Sequence, residues 1–378
     1  MPDWWPFSDG DEPADDGRVA EALAEAPLLW MFGKTGSGKS SIVRFLTGAD
    51  DAEVGDGYRP QTRSSKQYDF PDSDAPLVRF LDTRSLAEVA YDPADDIRRF
   101  GERTHLIVLT VRSADQSLRD VVEPLRVIRR ETPSRPVLLV LTALHELTPG
   151  EDFTRSGEIP AAAEPAIAKQ QERFDGLFDR CVCVDLTPAE YGFADHEFGG
   201  DELKDAVLDL LPEAQKHAVA AAVLQKSGSP AAGHLDAKIL AYSCAAASAA
   251  AVPVPWVDLP VVAGLQWHLT RLIAKSHGQS LDKTAVARMS TLLGGRAALA
   301  MGFRELAKFV PYLGSVLNAS AAFGMTYAAG MAADYYFREV AGGHVPSDEE
   351  IRRVYDGQVQ KAATLWQRTS DPKLEAAT

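Results

Sequence analysis

The chain has 378 residues, 46% hydrophobic and 25% charged, with a formal net charge of −15. That length and apolar content suffice for two domain cores and exclude a disordered or fibrous chain. The acidic balance excludes a general nucleic-acid binder, which needs a dense basic stripe. Only three cysteines occur, Cys181, Cys183 and Cys244, so there is no second pair for a zinc site. Cys181 and Cys183 share one face of a predicted strand and read as buried, reduced thiols. The chain opens on acidic residues without the apolar core of a signal peptide, and with few cysteines this points to the cytoplasm.

In chain order, residues 1–17 read as a flexible tail in which Trp4, Trp5 and Phe7 lie among acids. Contact of these aromatics with a membrane interface, with a partner or with the body of the protein all stand open. Residues 18–26 form a short helix candidate, and the apolar run 28–32 a strand. Directly behind it, residues 33–41 read G-K-T-G-S-G-K-S-S. This fits the phosphate-loop spacing G-x-x-x-x-G-K-[ST], with Gly33, Gly38, Lys39 and Ser40 at its fixed positions. Glycines let backbone N–H groups curl around phosphate oxygens. Lys39 brings a compact charge to the β/γ-phosphates, and the Ser40 hydroxyl sits on Mg²⁺. Ile42, Val43, Phe45 and Leu46 follow at helical spacing, so the loop opens a helix whose N-terminal dipole favours an anion. Gly33, Lys34, Thr35, Gly36, Ser37, Gly38, Lys39, Ser40 and Ser41 are therefore the expected phosphate contacts.

Further strands are predicted at 64–70, 77–81, 106–111, 137–141 and 181–185. Helices fit 40–47, 93–101, 117–130, 161–178 and 201–211. The runs L-I-V-L-T-V and V-L-L-V-L are apolar throughout, as strands covered on both faces are. This alternation predicts an α/β domain with a mostly parallel sheet and the phosphate loop at a strand's carboxyl end. Thr62 stands 23 positions past Lys39, where a switch-loop threonine ligates Mg²⁺ and feels the γ-phosphate. Asp82, twenty positions later at a predicted strand end, is placed to hold Mg²⁺ through water. Ser40, Thr62 and Asp82 form the expected metal set, and Lys39 and Thr62 the expected catalytic pair. Arg63 and Arg84 are nearby cations that serve either to stabilise charge or as ordinary surface residues.

After Pro212 the pattern turns helical, with segments at 213–226, 234–251, 258–277, 282–293, 296–309, 312–340 and 347–368. Residues 215–333 carry ten Lys or Arg against four Asp or Glu, a net +6 that leaves −21 elsewhere. The runs 239–257 and 309–333 carry no charge and are rich in Ala, Gly and Ser. Small residues permit close helix approach in water or in lipid. Buried helices of a water-soluble core and a hairpin that inserts conditionally into a bilayer both fit. The expected organisation is a tail at 1–17, a phosphate-loop domain at 18–212, a helical domain at 213–369 and a tail at 370–378.

G-K-T-G-S-G-K-S-S, then P-Q-T-R at 60–63 and L-D-T-R-S-L at 81–86, resemble an Era-like GTPase of the translation-factor-related class. Residues 250–260 (A-A-V-P-V-P-W-V-D-L-P), Gln266 and residues 305–314 (E-L-A-K-F-V-P-Y-L-G) resemble the helical domain of unknown function often found behind such GTPases. The resemblance implies a Ras-like fold with five sequential motifs, GTP or GDP as ligand, and Mg²⁺. It also implies a membrane surface as partner of the helical domain, at the inner face of the cell membrane, and a nucleotide-dependent homodimer. Four positions depart from the family pattern. Ser85 replaces the glycine of D-x-x-G, and Leu86 stands where a glutamine orients water, so slow or partner-dependent hydrolysis is expected. The guanine-reading N/T-K-x-D becomes Thr142-Ala143-Leu144-His145. Thr142 and His145 remain the expected base-side contacts, and Glu146 substitutes if the loop shifts by one. The alternatives are a nucleotide-binding scaffold with negligible hydrolysis and an ATP-binding phosphate-loop protein.

Overall fold

The computed structural model describes residues 16–49, 59–60, 65–83, 100–101, 103–150, 152–187, 193–211, 216, 218–220, 230–251, 258–279 and 314–370. They form two compact units. One comprises residues 27–72 and 78–227, the other residues 1–26, 73–77 and 228–378.

In the first unit the order is β1 (Leu28–Phe32), α2 (Lys39–Thr47), β2 (Arg59–Pro60), β3 (Ser65–Phe70), β4 (Val78–Thr83), β5 (Leu106–Arg112), α3 (Arg119–Glu131), β6 (Val137–Thr142), α4 (Glu164–Arg173), β7 (Arg180–Cys183) and α5 (Gly200–Leu210). The strands make one seven-stranded sheet in the order β2-β3-β4-β1-β5-β6-β7. From β4 to β7 every pairing is parallel, and β3 and β2 add an antiparallel edge. The mostly parallel α/β sheet is thus present, and β1 lies where the connections diverge to opposite sides. That reversal opens a crevice at the strands' carboxyl ends.

Every residue of β1 and β6 is buried. Trp30, Phe32, Leu109, Leu139 and Leu141 join Leu125 and Ile128 of α3 and Phe174 in one cluster. Leu29, Met31, Val108, Leu138 and Val140, which alternate to the opposite face, are equally buried. Burial on both faces is why these strands read as unbroken apolar runs. Helix α4 is shorter than the predicted 161–178. Pro165 sits at its start, and Gly176, at φ 72°, turns the chain away after its end. The last strand also stops early, at Cys183, and Asp185 bridges Phe198 instead. Cys181 and Cys183 are free thiols, half-buried where full burial was expected.

At the start of the sheet, the Leu28 N–H donates to His105 Nδ1 at 3.0 Å and the His105 N–H donates back to the Leu28 carbonyl at 2.8 Å. Burial, and secondarily the Arg135 guanidinium, hold the His105 pKa below the ordinary histidine value. A protonated Nδ1 could not accept the Leu28 bond. Below about pH 6.5 the unfolded chain binds a proton that the folded one resists, so stability falls as pH drops from there. In urea titrations at pH 7.5 and 5.5, the wild type should lose more stability than His105→Gln. Equal losses would show that His105 carries none of the effect.

The second unit contains α1 (Asp16–Ala24), α6 (Pro230–Ala251), α7 (Asp258–Ser276), α8 (Gly314–Ala341) and α9 (Asp348–Ser370). Helix α8 packs on α6, α7 and α9, and α1 on α6 and α7. The helix expected to open the phosphate-loop domain therefore groups with the helical unit, where a Cβ on Gly264 would meet Val19 at 2.8 Å. Small residues set the helix spacing. A Cβ on Gly330 of α8 would lie 2.8 Å from Ile239 Cγ2 and 3.0 Å from Leu269 Cδ2. Of the uncharged runs, residues 239–251 fall on α6 and residues 314–333 on α8, where Ala246, Ala328, Ala332, Ala333 and Phe323 are buried. Among the described residues no helix is long and apolar enough to cross a membrane. The helices expected at 93–101, 213–226, 282–293 and 296–309 lie wholly or largely outside the described residues, as do both tails.

Candidate nucleotide-binding site

The loop between β1 and α2 is shaped by glycine. Gly33 has φ 151°, and Gly38, the N-cap of α2, is left-handed at φ 96° with no side-chain cap. The first N–H groups of α2 are thus left facing the loop, the arrangement that receives an anion. Lys39 is almost wholly buried. Its Nζ donates to the carbonyls of Gly33 and Lys34, both at 2.9 Å, and lies 3.6 Å from Asp82 Oδ1. Burial lowers the Lys39 pKa, and the Asp82 carboxylate opposes that shift. Asp82 is brought there by register: it pairs with Met31 at the carboxyl end of β1. The Ser40 side chain is exposed at the start of α2.

Ser37 is buried, and its Oγ has no hydrogen-bond partner among the described residues. Its carbonyl accepts a 2.8 Å bond from Thr142 Oγ1, which ties the end of β6 to the loop. The Lys34 ammonium pairs with Asp115 Oδ2 at 2.9 Å and also reaches the Ser117 carbonyl. Burial alone would raise the Asp115 pKa, but the hydrogen bonds from Lys34 and the Ser117 N–H pull it below the ordinary value. The Lys34 side chain is therefore engaged at the end of β5, and what it offers a phosphate is its backbone. Thr35 is exposed and Ser41 half-buried.

Beyond β6, Ala143 is left-handed at φ 54° and Leu144–Glu146 form a single 3-10 turn. The Glu146 carboxylate is taken by Arg112, whose guanidinium also approaches the Gly36 carbonyl at 3.4 Å. Glu146, the residue that a one-residue shift would bring to the base, is thus engaged in an ion pair. His145 instead meets Asp185, which is almost fully buried. The His145 N–H and Nδ1 both lie 2.8 Å from Asp185 Oδ2, and Thr187 Oγ1 donates to Oδ1. Arg112, Asp115 and Asp185 were missed in the sequence. Arg112 left one trace, as the charge that closes an otherwise apolar strand.

The structure brings together the loop, Lys39, Ser40, Asp82 and Thr142, and His145 stands three residues beyond Thr142 against Asp185. Thr62, Arg63, Arg84, Ser85 and Leu86 lie outside the described residues. Among the described residues no three His, Cys, Asp or Glu side chains gather as a metal site. A magnesium ion that keeps several waters and enters with phosphate oxygens needs no such cluster, and one hydroxyl and one carboxylate suit it. Ser40 and Asp82 are of that kind.

Residues 29–143 match the model of the 50S ribosome-binding GTPase family. No curated protein matches the chain. Among solved structures, the chain is similar to a GTP-binding protein from the hyperthermophilic archaeon Sulfolobus solfataricus in complex with GDP, at 15% identity and a TM-score of 0.27. That similarity covers 50% of this chain and 54% of the other. With the phosphate loop, the sheet order and the family match over residues 29–143 in place, the first unit has the fold of a P-loop GTPase domain.

Proposed function

We propose that the chain binds a magnesium–guanine nucleotide and cleaves the γ-phosphate of GTP slowly, with the nucleotide state conveyed to the helical unit. The supporting observation is the uncapped start of α2 behind the Gly33–Ser40 loop, with buried Lys39 3.6 Å from Asp82. Lys39 and the loop N–H groups would stabilise charge on the phosphates, and Ser40, Thr62 and Asp82 would hold the metal. When bound, Mg²⁺ neutralises charge that develops between the β- and γ-phosphates. The hydrolytic step is attack of water on the γ-phosphorus with departure of GDP. Leu86 follows Ser85 where the family pattern has a water-orienting glutamine, so slow turnover is the expected result.

Calorimetric titration with Mg-GTP, Mg-GDP and Mg-ATP tests the ligand, and phosphate release tests turnover. Binding of GTP over ATP with release on the order of 10⁻⁴ s⁻¹ fits the proposal. Equal affinity for ATP would remove the guanine preference. Binding without release would favour the scaffold reading, which Ser85 and Leu86 support. The net +6 of residues 215–333 supports a peripheral membrane contact by the helical unit, and flotation with anionic vesicles tests it. A protein that stays at the bottom with GDP and with GTP would end that part of the proposal.

A further inference from the structure

The strand order gives the nucleotide a direction. Asp82 stands on β4 to one side of the loop, and as the metal-side carboxylate of the proposal above it would draw the γ-phosphate end there. The nucleoside end then lies toward β5, β6 and β7. Thr142 ties the end of β6 to Ser37 there, and three residues on stands His145, a third exposed, its ring 5.8 Å from that of Phe193.

The network behind His145 fixes its hydrogen. Asp185 Oδ2 accepts the backbone N–H of His145 and faces Nδ1 at 2.8 Å. The Thr187 hydroxyl donates to Asp185 Oδ1, so its oxygen lone pairs are what face Nδ1 at 3.1 Å. A carboxylate cannot donate, so both neighbours require the proton to be on Nδ1. Nε2 has no partner among the described residues, and in the neutral ring it carries one in-plane lone pair. The neighbouring carboxylate, Glu146, is paired with Arg112.

We infer that His145, oriented by Asp185 and Thr187, reads the purine through a single acceptor at Nε2, so that the 2-amino group of guanine goes unread. This rests on the nucleotide-binding proposal above and sharpens its substrate class. Guanine presents two parallel donors on one edge, N1–H and the 2-amino group; hypoxanthine presents N1–H alone. A carboxylate pairs with both guanine donors and discriminates against hypoxanthine, because one of its oxygens is then left unpaired. One imidazole nitrogen pairs with one donor and gains nothing from the second. Asp185 is a positioning residue: it acts on the base through His145.

The experiment compares GDP, IDP and inorganic pyrophosphate, each with Mg²⁺, on the full chain. Wild type should bind GDP and IDP within about threefold of each other, since the second bond that would separate them by roughly tenfold or more is absent. His145→Ala should weaken GDP and IDP in parallel and leave pyrophosphate unchanged. Asp185→Asn should weaken both nucleotides, yet add nothing in the His145→Ala background. A wild type that prefers GDP by more than roughly tenfold overturns the inference and leaves the nucleotide proposal intact. So does an Asp185→Asn effect as large without His145 as with it. Absence of binding to all three ligands overturns the nucleotide proposal itself.

Discussion

Replacing Lys39 with alanine should weaken nucleoside triphosphate binding by about a hundredfold or more. Lys39 Nζ is the cation at the centre of the loop, held by the Gly33 and Lys34 carbonyls at 2.9 Å and standing 3.6 Å from Asp82. Its position is set by the backbone of the loop it serves, so its arrival at a phosphate costs little reorganisation. Two charge-assisted bonds to phosphate oxygens, at about 1.5–3 kcal/mol each, amount to at least about two decades of affinity. The effect on the free protein should be far smaller. Burial already disfavours the Lys39 charge, so its removal relieves desolvation while it costs Asp82 a neighbouring cation. Thermal melts separate the two. Without ligand the variant should unfold close to the wild type; with Mg-GDP at a thousandfold excess over the wild-type Kd, the wild type should gain about 4 kcal/mol and the variant no more than about 1.4 kcal/mol. A variant that keeps the ligand-induced shift would show that Lys39 does not bear on the phosphates.

How much of this could be read from the sequence follows from where each signal resides. Strands β1, β5 and β6 were legible because burial on both faces leaves no polar position to interrupt them. The loop was legible because its residue types are fixed at short range by backbone geometry. The contacts that complete the site come from strands far apart in the chain and depend on register, which composition does not carry. Thr142 reaches Ser37 across 105 positions, Arg112 reaches Gly36 across 76, and Asp185 reaches His145 across 40. The loss of the lysine and aspartate of N/T-K-x-D was visible at Ala143 and His145; what stands behind His145 was not. In the helical unit the small residues of α6 and α8 fit lipid and protein equally well on paper. The close approach of Gly330 to Ile239 and Leu269 is a packing fact that hydropathy does not encode. Helix α1 was assigned to its neighbour in sequence, β1, but its partners are α6 and α7.

Gly33→Ala should destabilise the first unit by at least about 3 kcal/mol and abolish nucleotide binding. Gly33 lies at φ 151°, a backbone region closed to side chains, which alone costs about 1–3 kcal/mol. A Cβ there would also stand 2.3 Å from the Thr110 carbonyl oxygen and 2.8 Å from Ser37 Oγ. The serine hydroxyl can rotate away, but Thr110 cannot yield. It sits inside β5, between β1 and β6, in register with Val140. Relief must come from the loop, and any shift of Gly33 displaces the carbonyl that holds Lys39. Gly176→Ala is the control. It has positive φ as well, at 72°, but nothing within 4 Å of an added Cβ, so it should cost only about 1–2 kcal/mol and leave binding unchanged. Urea unfolding gives the two stabilities and calorimetry with Mg-GDP the two affinities. If Gly33→Ala behaves like Gly176→Ala in both, the close approach of loop and strand is not what sets the geometry of the site.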